Sequence, residues 1–249
     1  MDSRAALEHI LHSPEFAPHI AENRLIPAAE GSYAPFPAGL DGRIAAALRS
    51  RGIEQVYTHQ AEVWERVREG RNVVVVTPTA SGKTLCYNLP CLQALLEDGQ
   101  ARCLYLFPTK ALSQDQQAEL NEIIESIEGG GKPSPCGALR CAAPPSPGAP
   151  PPNPRPLLLK AATYDGDTPE SLRVAARDTG RIIISNPDML HAGILPNHPR
   201  WIKFFSRLKY VVIDEAHAYR GVLGSHVANV IRRLRRVAAF YGSSPRFIL

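Results

Sequence analysis

Six short apolar runs recur along the chain, each followed by a loop and, between most of them, by a stretch with helical period. They are Asn72–Val76 (NVVVV), Arg102–Phe107 (RCLYLF), Pro156–Tyr164 (PLLLKAATY), Arg181–Ser185 (RIIIS), Lys209–Asp214 (KYVVID) and a last run, RFIL, at 246–249. Continuous rather than alternating runs indicate strands covered on both faces, and helical stretches between them indicate parallel crossovers. The predicted fold class is α/β, a mainly parallel sheet flanked by helices. Residues 1–50, with turns around APFPAGLDG and helical patches such as GRIAAALRSRGI, read as a short N-terminal extension to a main domain at 51–249.

Two segments need separate readings. Gly129 to Pro156 is dominated by Pro and Gly and has too little apolar content to pack, so it reads as a flexible, disordered surface insertion with polyproline II character. In VANVIRRLRRVAAF, Val227, Val230, Ile231, Leu234 and Val237 share one helical face, with Arg232, Arg233, Arg235 and Arg236 mostly opposite. That pattern is a core-facing helix with a solvated basic side.

Composition changes this picture little. The 249 residues are 44% hydrophobic and 21% charged, and 28 basic against 24 acidic residues give a formal charge of +4. A mild positive excess permits a polyanionic partner without demanding one. The N-terminus lacks a secretory h-region, and no apolar run of about 18 residues predicts a membrane span. Five cysteines with no CxxC pair read as reduced thiols rather than a zinc site. The expected setting is intracellular: cytoplasmic in a bacterium, nuclear in a eukaryote.

Candidate chemistry begins where NVVVV runs into TPTASGKT and then into LCYNLPCLQALLE. Strand, small-residue loop and helix form the context of a phosphate-binding loop. Thr79, Ala80, Ser81 and Gly82 would turn successive backbone N–H groups onto phosphate oxygens at a helix N-terminus, where the dipole favours anions. Lys83 would reach the β- and γ-phosphates, and Thr84 would offer its hydroxyl to Mg²⁺. Thr77 stands where the usual pattern has glycine. A second signal, LKYVVIDEAHAYRG, puts Asp214 and Glu215 at the end of a buried strand, the edge where ligands of open α/β sheets collect. One carboxylate can hold Mg²⁺ (Asp214) and the other can orient an attacking water (Glu215). Together the two signals predict binding of a nucleoside triphosphate with Mg²⁺.

These residues carry a resemblance. TPTASGKT with DEAH resembles motifs I and II of superfamily 2 helicases and translocases. LFPTKALSQDQ is similar to their motif Ia, YDGDTP to the glycine-containing loop that follows it, and SNPDML to motif Ib. RGIEQVYTHQ resembles the Q motif, which implies that Gln60 reads the adenine edge and selects ATP. The wording of CYNLP, LYLFPTKALSQDQ, TYDGDTP and the stretch from DEAH to IRRLRR is similar to MrfA-type DNA helicases, relatives of the RecQ-like group that carry a C-terminal zinc-binding domain and act in DNA repair. The resemblance covers roughly 51–249 apart from the insertion. It implies a RecA-like P-loop NTPase domain, ATP and Mg²⁺ as cofactors, and Lys83, Asp214, Glu215 and His217 as the catalytic set, with His217 relaying nucleotide state to the DNA side. It also implies nucleic-acid contacts by Pro108, Thr109, Lys110, Gly166, Asp167, Ser185 and Asn186.

The residues agree with that last implication. PTK and SNPD both follow apolar strands, so they fall at the sheet edge of the nucleotide loops. Ser185 or Asn186 can cap a helix whose first turn holds Pro187, leaving N–H groups free for phosphate. The expected partner is single-stranded DNA, or a duplex with a single-stranded tail, gripped without regard to sequence and more weakly as salt rises. No membrane partner is expected. The chain stops at RFIL, where the family's Ser-Ala-Thr element would begin, so the second RecA-like domain and its arginines are expected elsewhere in a longer parent. Such arginines are worth roughly 10³–10⁵ in rate, and slow turnover is expected of these residues alone. Two alternatives stay open at this point: a short nucleotide- and nucleic-acid-binding module without turnover, and a DEAH-type RNA helicase.

Overall fold

The computed structural model describes residues 3–24, 30–77, 81–129 and 159–249. Thr79, Ala80 and nearly all of the Pro-rich insertion lie outside these residues. The chain divides into two compact units, Met1–Ser32 and Tyr33–Leu249. The first carries a helix, α1 (Ser3–His12), and a short 3₁₀ turn at Ala17–His19.

The second unit opens with a small antiparallel pair, β1 (Tyr33–Ala34) and β2 (Val56–Tyr57), around helix α2 (Gly42–Ser50). Asp41 caps α2 by accepting from the Arg43 amide at 2.9 Å, as a first-turn carboxylate should. Helix α3 (Thr58–Arg68) follows, then α4 (Lys83–Glu97), β3 (Arg102–Leu106), α5 (Lys110–Ile127), β4 (Ala161–Thr163), α6 (Glu170–Thr179) and β5 (Ile182–Ser185). After a short α7 (Pro187–Met189), irregular turns lead through α8 (Ile202–Phe205) to β6 (Leu208–Ile213), α9 (Gly221–Phe240) and β7 (Arg246–Ile248). The main sheet has the order β4-β5-β3-β6-β7, with every pair parallel.

The predicted runs and the observed strands coincide at β3, β5, β6 and β7. Alternate residues of β3 serve two cores: Cys103 and Tyr105 face α3, α4 and α5, while Leu104 and Leu106 face Trp201, Phe204, Phe205 and α9. This two-sided burial is why the runs are apolar without alternation. The Asn72–Val76 run departs from the expectation of full cover. It pairs with β7 through a parallel bridge, Val73 to Ile248, and through the Val75 amide on Leu249 O. Val73 and Val75 pack on the core, but Val74 and Val76 are 66% and 89% exposed. Alternate side chains of a strand point to opposite faces, and among the described residues only the face carrying Val73 and Val75 is packed over.

Two arginines, Arg181 buried and Arg102 half-buried, close helix ends against neighbouring strands. Arg181 donates to Leu95 O at 2.5 Å and Asp98 O at 2.6 Å beyond the end of α4, while Arg102 donates to Thr179 O and Gly180 O at the end of α6. Carbonyls at a helix C-terminus lack partners within the helix, so each guanidinium satisfies acceptors that burial would otherwise orphan. Because all strands run the same way, the loops after β3, β4, β5, β6 and the 72–76 segment emerge at one edge. Among the described residues, Ser81–Thr84, Pro108–Lys110, Gly166–Asp167, Ser185–Asn186 and Asp214–His217 lie on that carboxyl edge.

Candidate nucleotide and nucleic-acid site

The phosphate loop is described on both flanks. Gly82 is the N-cap of α4 and has φ +73°, a left-handed conformation that favours glycine. A Cβ there would come within 2.7 Å of Gln60 Nε2. Gln60, only 2% exposed, donates from Nε2 to Gly82 O at 2.7 Å and accepts from the Tyr57 amide at 2.8 Å. Thus the predicted adenine-reading glutamine also ties the start of α3 to the phosphate loop. The hydroxyls of Thr77 and Ser81 meet at 2.5 Å. Thr77, which breaks the usual glycine pattern, therefore bridges the mouth of the loop. Lys83 and Thr84 form the first turn of α4, beside the positive end of its dipole.

A cavity of about 490 Å³ opens beside this loop, lined by Tyr33, Arg51, Tyr57, Gln60, Gly82 and Thr84 among others. The Tyr33 and Tyr57 rings stack at 4.9 Å across β1 and β2. Arg51 is held by Glu122 at 3.1 Å and Glu119 at 3.9 Å from α5. Sequence reasoning missed Tyr33 and Arg51 as site residues. Arg51 and Tyr57, both inside the Q-like stretch RGIEQVYTHQ, offered a local signal; Tyr33 offered none, because only the β1–β2 pairing brings it there.

Asp214 ends β6, its amide donating to Leu106 O at 3.0 Å. Its Oδ1 accepts from the Glu215 amide at 2.9 Å and its Oδ2 from the Tyr87 hydroxyl at 3.3 Å. Burial pushes the Asp214 carboxyl above the usual carboxylate range, and the neighbouring charge of Glu215 adds to this, against the pull of Tyr87 and Lys83. Burial likewise pushes the Tyr87 hydroxyl up, as does the charge of Asp214, while the Thr84 hydroxyl beside it works the other way. The half-buried Asp214 carboxylate and the Thr84 hydroxyl, each beside Tyr87, are hard oxygen donors of the type that suits Mg²⁺. Tyr87 and the Gln116 side chain that its hydroxyl also reaches, at 3.1 Å, were not expected; their signal is only that they sit one turn and two turns into helices that begin at motifs.

Glu215 is the single non-glycine residue with positive φ among the described residues, at φ 49°. That conformation costs roughly 1–2 kcal/mol and turns its carboxylate toward His217, whose Nδ1 lies 3.1 Å away. Strain of this kind concentrates at functional positions.

On the nucleic-acid side, Thr109 caps α5 and Lys110 is its first residue, following Pro108. Lys110 is ion-paired with Asp167. Asp167 and Gly166 belong to a turn built on Asp165, whose Oδ1 accepts from the Asp167 amide, the Thr168 amide and the Thr168 hydroxyl. Burial opposes the charge of Asp165, but these hydrogen bonds prevail and hold its carboxyl below the usual range. Asn186 caps α7, accepting from the Met189 amide at 2.7 Å. Ser185 is 3% exposed and donates its hydroxyl to Tyr164 O at 2.6 Å. All seven residues therefore reach one edge, with Ser185 engaged inside the fold rather than presented. His191 and His198 meet Arg233 at 2.9 Å and the Tyr241 hydroxyl at 2.7 Å.

A parallel sheet with a glycine-capped phosphate loop after one strand and an acidic pair after another defines a RecA-like P-loop NTPase fold. The chain belongs to the DEAD/DEAH box helicase family, which matches residues 57–137 and 153–248. It is 48% identical over 241 residues to the ATP-dependent helicase YprA of Bacillus subtilis (strain 168), covering 97% of this chain and 27% of that protein. It is 40% identical over 224 residues to the ATP-dependent helicase hrq1 of Schizosaccharomyces pombe, covering 89% of this chain and 19% of that one. Among solved structures, the DUF1998 helicase MrfA bound to DNA and AMPPNP is similar with a TM-score of 0.76 and 51% identity, over 90% of this chain and 27% of that one. The chain thus spans about a quarter or less of the length of these relatives.

Proposed function

We propose that this chain is the ATP-binding motor domain of an ATP-dependent DNA helicase or translocase, in which ATP hydrolysis drives movement on, and unwinding of, DNA, in a repair role. The observation that carries the reading is the convergence at one sheet edge of the Gly82–Lys83–Thr84 loop and the Asp214–Glu215 pair. The adenine would enter the cavity beside Gln60 and Tyr57, and the triphosphate would run toward the start of α4, where Lys83 meets its β- and γ-oxygens. Mg²⁺, held by Thr84 and Asp214, would supply neutralisation of the phosphate charge. Glu215 would orient the attacking water, with His217 sensing its state.

MrfA, a relative at about half identity, has been solved with DNA and AMPPNP together, which supports DNA over RNA as the track. Single-stranded DNA, or a duplex with a single-stranded tail, would lie across Pro108–Lys110, Gly166–Asp167 and Asn186, with Ser185 supporting Tyr164 from beneath. A second RecA-like domain would complete the site with an arginine. An intracellular location accords with the absence, among the described residues, of any helix long and apolar enough to cross a membrane.

The test is ATP hydrolysis with and without single-stranded DNA, by the chain supplied with its second domain, wild type beside Glu215→Gln. DNA-stimulated hydrolysis that the variant loses while it still binds ATP is the expected result. Equal hydrolysis by the variant would remove Glu215 from the mechanism.

A further inference from the structure

The basic side of α9 reads in sequence as a solvated face. In the fold it becomes one wall of a pocket. Arg232, Arg235 and Arg236 line a cavity of about 480 Å³ whose other wall is Ser243, Ser244 and Arg246, at the start of β7. Arg246 lies over Gly70, its Nη2 within 3.3 Å of where a Cβ would be. Among the described residues, none that lines the cavity is acidic. Among the described residues, ion pairs engage Arg43, Arg49, Arg51, Arg66, Arg68, Arg71, Arg173 and Arg177, and none engages Arg232, Arg235, Arg236 or Arg246.

Arginines three and four apart on one helix face repel one another. Gathering four of them around a concavity without a carboxylate is unfavourable unless an anion occupies it. Guanidinium forks with serine hydroxyls match phosphate oxygens. One turn beyond Arg236, Phe240 is 78% exposed, its ring edge-on to Tyr241 at 5.0 Å and to His198 at 6.5 Å. An exposed aromatic beside arginines is the pairing that a nucleic-acid strand uses, base on ring and phosphate on guanidinium. A protein interface would instead centre on a large apolar anchor; here Phe247, Pro245 and Ala239 are the apolar part of a lining otherwise made of four arginines, two serines and Asn72.

We infer that this pocket is a second nucleic-acid contact, binding the phosphates of a strand at the amino edge of the sheet. Because β7 begins there and the motif loops leave the other ends of the strands, about 20 Å separates the two edges for strands of six residues. The pocket therefore takes a different stretch of nucleic acid from the one that the motif loops grip. It does not depend on the ATP site.

The test is fluorescence-anisotropy titration of the 249-residue chain with an oligothymidylate of about 40 nucleotides across a salt series. The variants are Arg232→Ala/Arg235→Ala/Arg236→Ala, the matching triple lysine variant, and Phe240→Ala. Alanine favours helix, so α9 should persist, and the unfolding midpoint checks this. The alanine triple is expected to bind at least tenfold more weakly at low salt and to lower the salt slope by about 2, at roughly 0.7 for each phosphate no longer neutralised. The lysine triple should keep the slope, and Phe240→Ala should weaken binding about tenfold with the slope unchanged. Wild-type affinity and slope in a folded alanine triple would overturn the inference. So would undiminished DNA binding combined with lost binding of polyglutamate, which would make the surface a dock for acidic protein.

Discussion

The Tyr87 hydroxyl lies 3.3 Å from Asp214 Oδ2 and 3.1 Å from Gln116 Oε1. It has one proton for two acceptors, one on the acidic strand end and one on the helix that starts at Thr109 and Lys110. A side chain on the phosphate-loop helix thus touches both the acidic pair and the element that carries the nucleic-acid loop. Tyr87→Phe should lower stability by about 1–2 kcal/mol, since buried acceptors lose their donor. ATP affinity should stay within about threefold, because the hydroxyl supports Asp214 without touching nucleotide. Urea unfolding and nucleotide titration read the two effects separately, and abolished ATP binding would place the hydroxyl in the nucleotide site itself.

Gln60 is buried between Tyr57 and Gly82 with both ends of its amide bonded. Gln60→Ala should raise the Kd for ATP about tenfold, a loss of about 1.4 kcal/mol. Affinity for GTP should change less, so discrimination between the two bases should narrow. Competition of each nucleotide against a fluorescent ATP analogue measures this. An unchanged ratio would mean that Gln60 serves the loop and not the base.

Gly82→Ala combines a left-handed φ with a Cβ 2.7 Å from Gln60 Nε2. The backbone term alone costs about 1–2 kcal/mol. Loss of nucleotide binding with a lower thermal midpoint is expected. A variant that binds ATP normally would show that the loop takes another conformation when occupied.

Much of this was legible in the sequence. Continuous apolar runs gave away β3, β5, β6 and β7, and the motif spacing put Lys83, Thr84, Asp214 and Glu215 together. Three things were not. Gly42–Ser50, read as part of an extension, places Ile44, Ala47 and Leu48 in the core with α4 and α5, and its short amphipathic pattern does not say what it packs against. Val74 and Val76 look like core from composition, yet among the described residues nothing packs over the face they share, and a run of valines does not say which faces are covered. Tyr33, Tyr87 and Asp165 gain their places only through contacts distant in sequence, or through a turn whose hydrogen bonds no motif specifies.

Asp165 offers a test in pH. Its carboxyl is held below the ordinary range, so the folded state binds its proton less readily than the unfolded chain. Its contribution is therefore present above the unfolded value of about 3.9 and is lost as pH falls through the lowered folded value. Asp165→Asn should cost about 1 kcal/mol near neutral pH, and the gap from wild type should narrow in acid, as pH falls below the unfolded value and through the lowered folded one. Urea unfolding near neutral pH and in acid checks the sign; a gap that widens in acid would contradict it.

We propose that these residues bind ATP through the loop ahead of α4 with the help of Mg²⁺. The most direct measurement is equilibrium titration of the chain with a fluorescent ATP analogue, with and without Mg²⁺, beside Lys83→Ala. Saturable binding that Mg²⁺ strengthens and that Lys83→Ala weakens at least about tenfold is expected, from removal of a charge-assisted hydrogen bond to phosphate. Binding that is indifferent to both Mg²⁺ and Lys83 would contradict it.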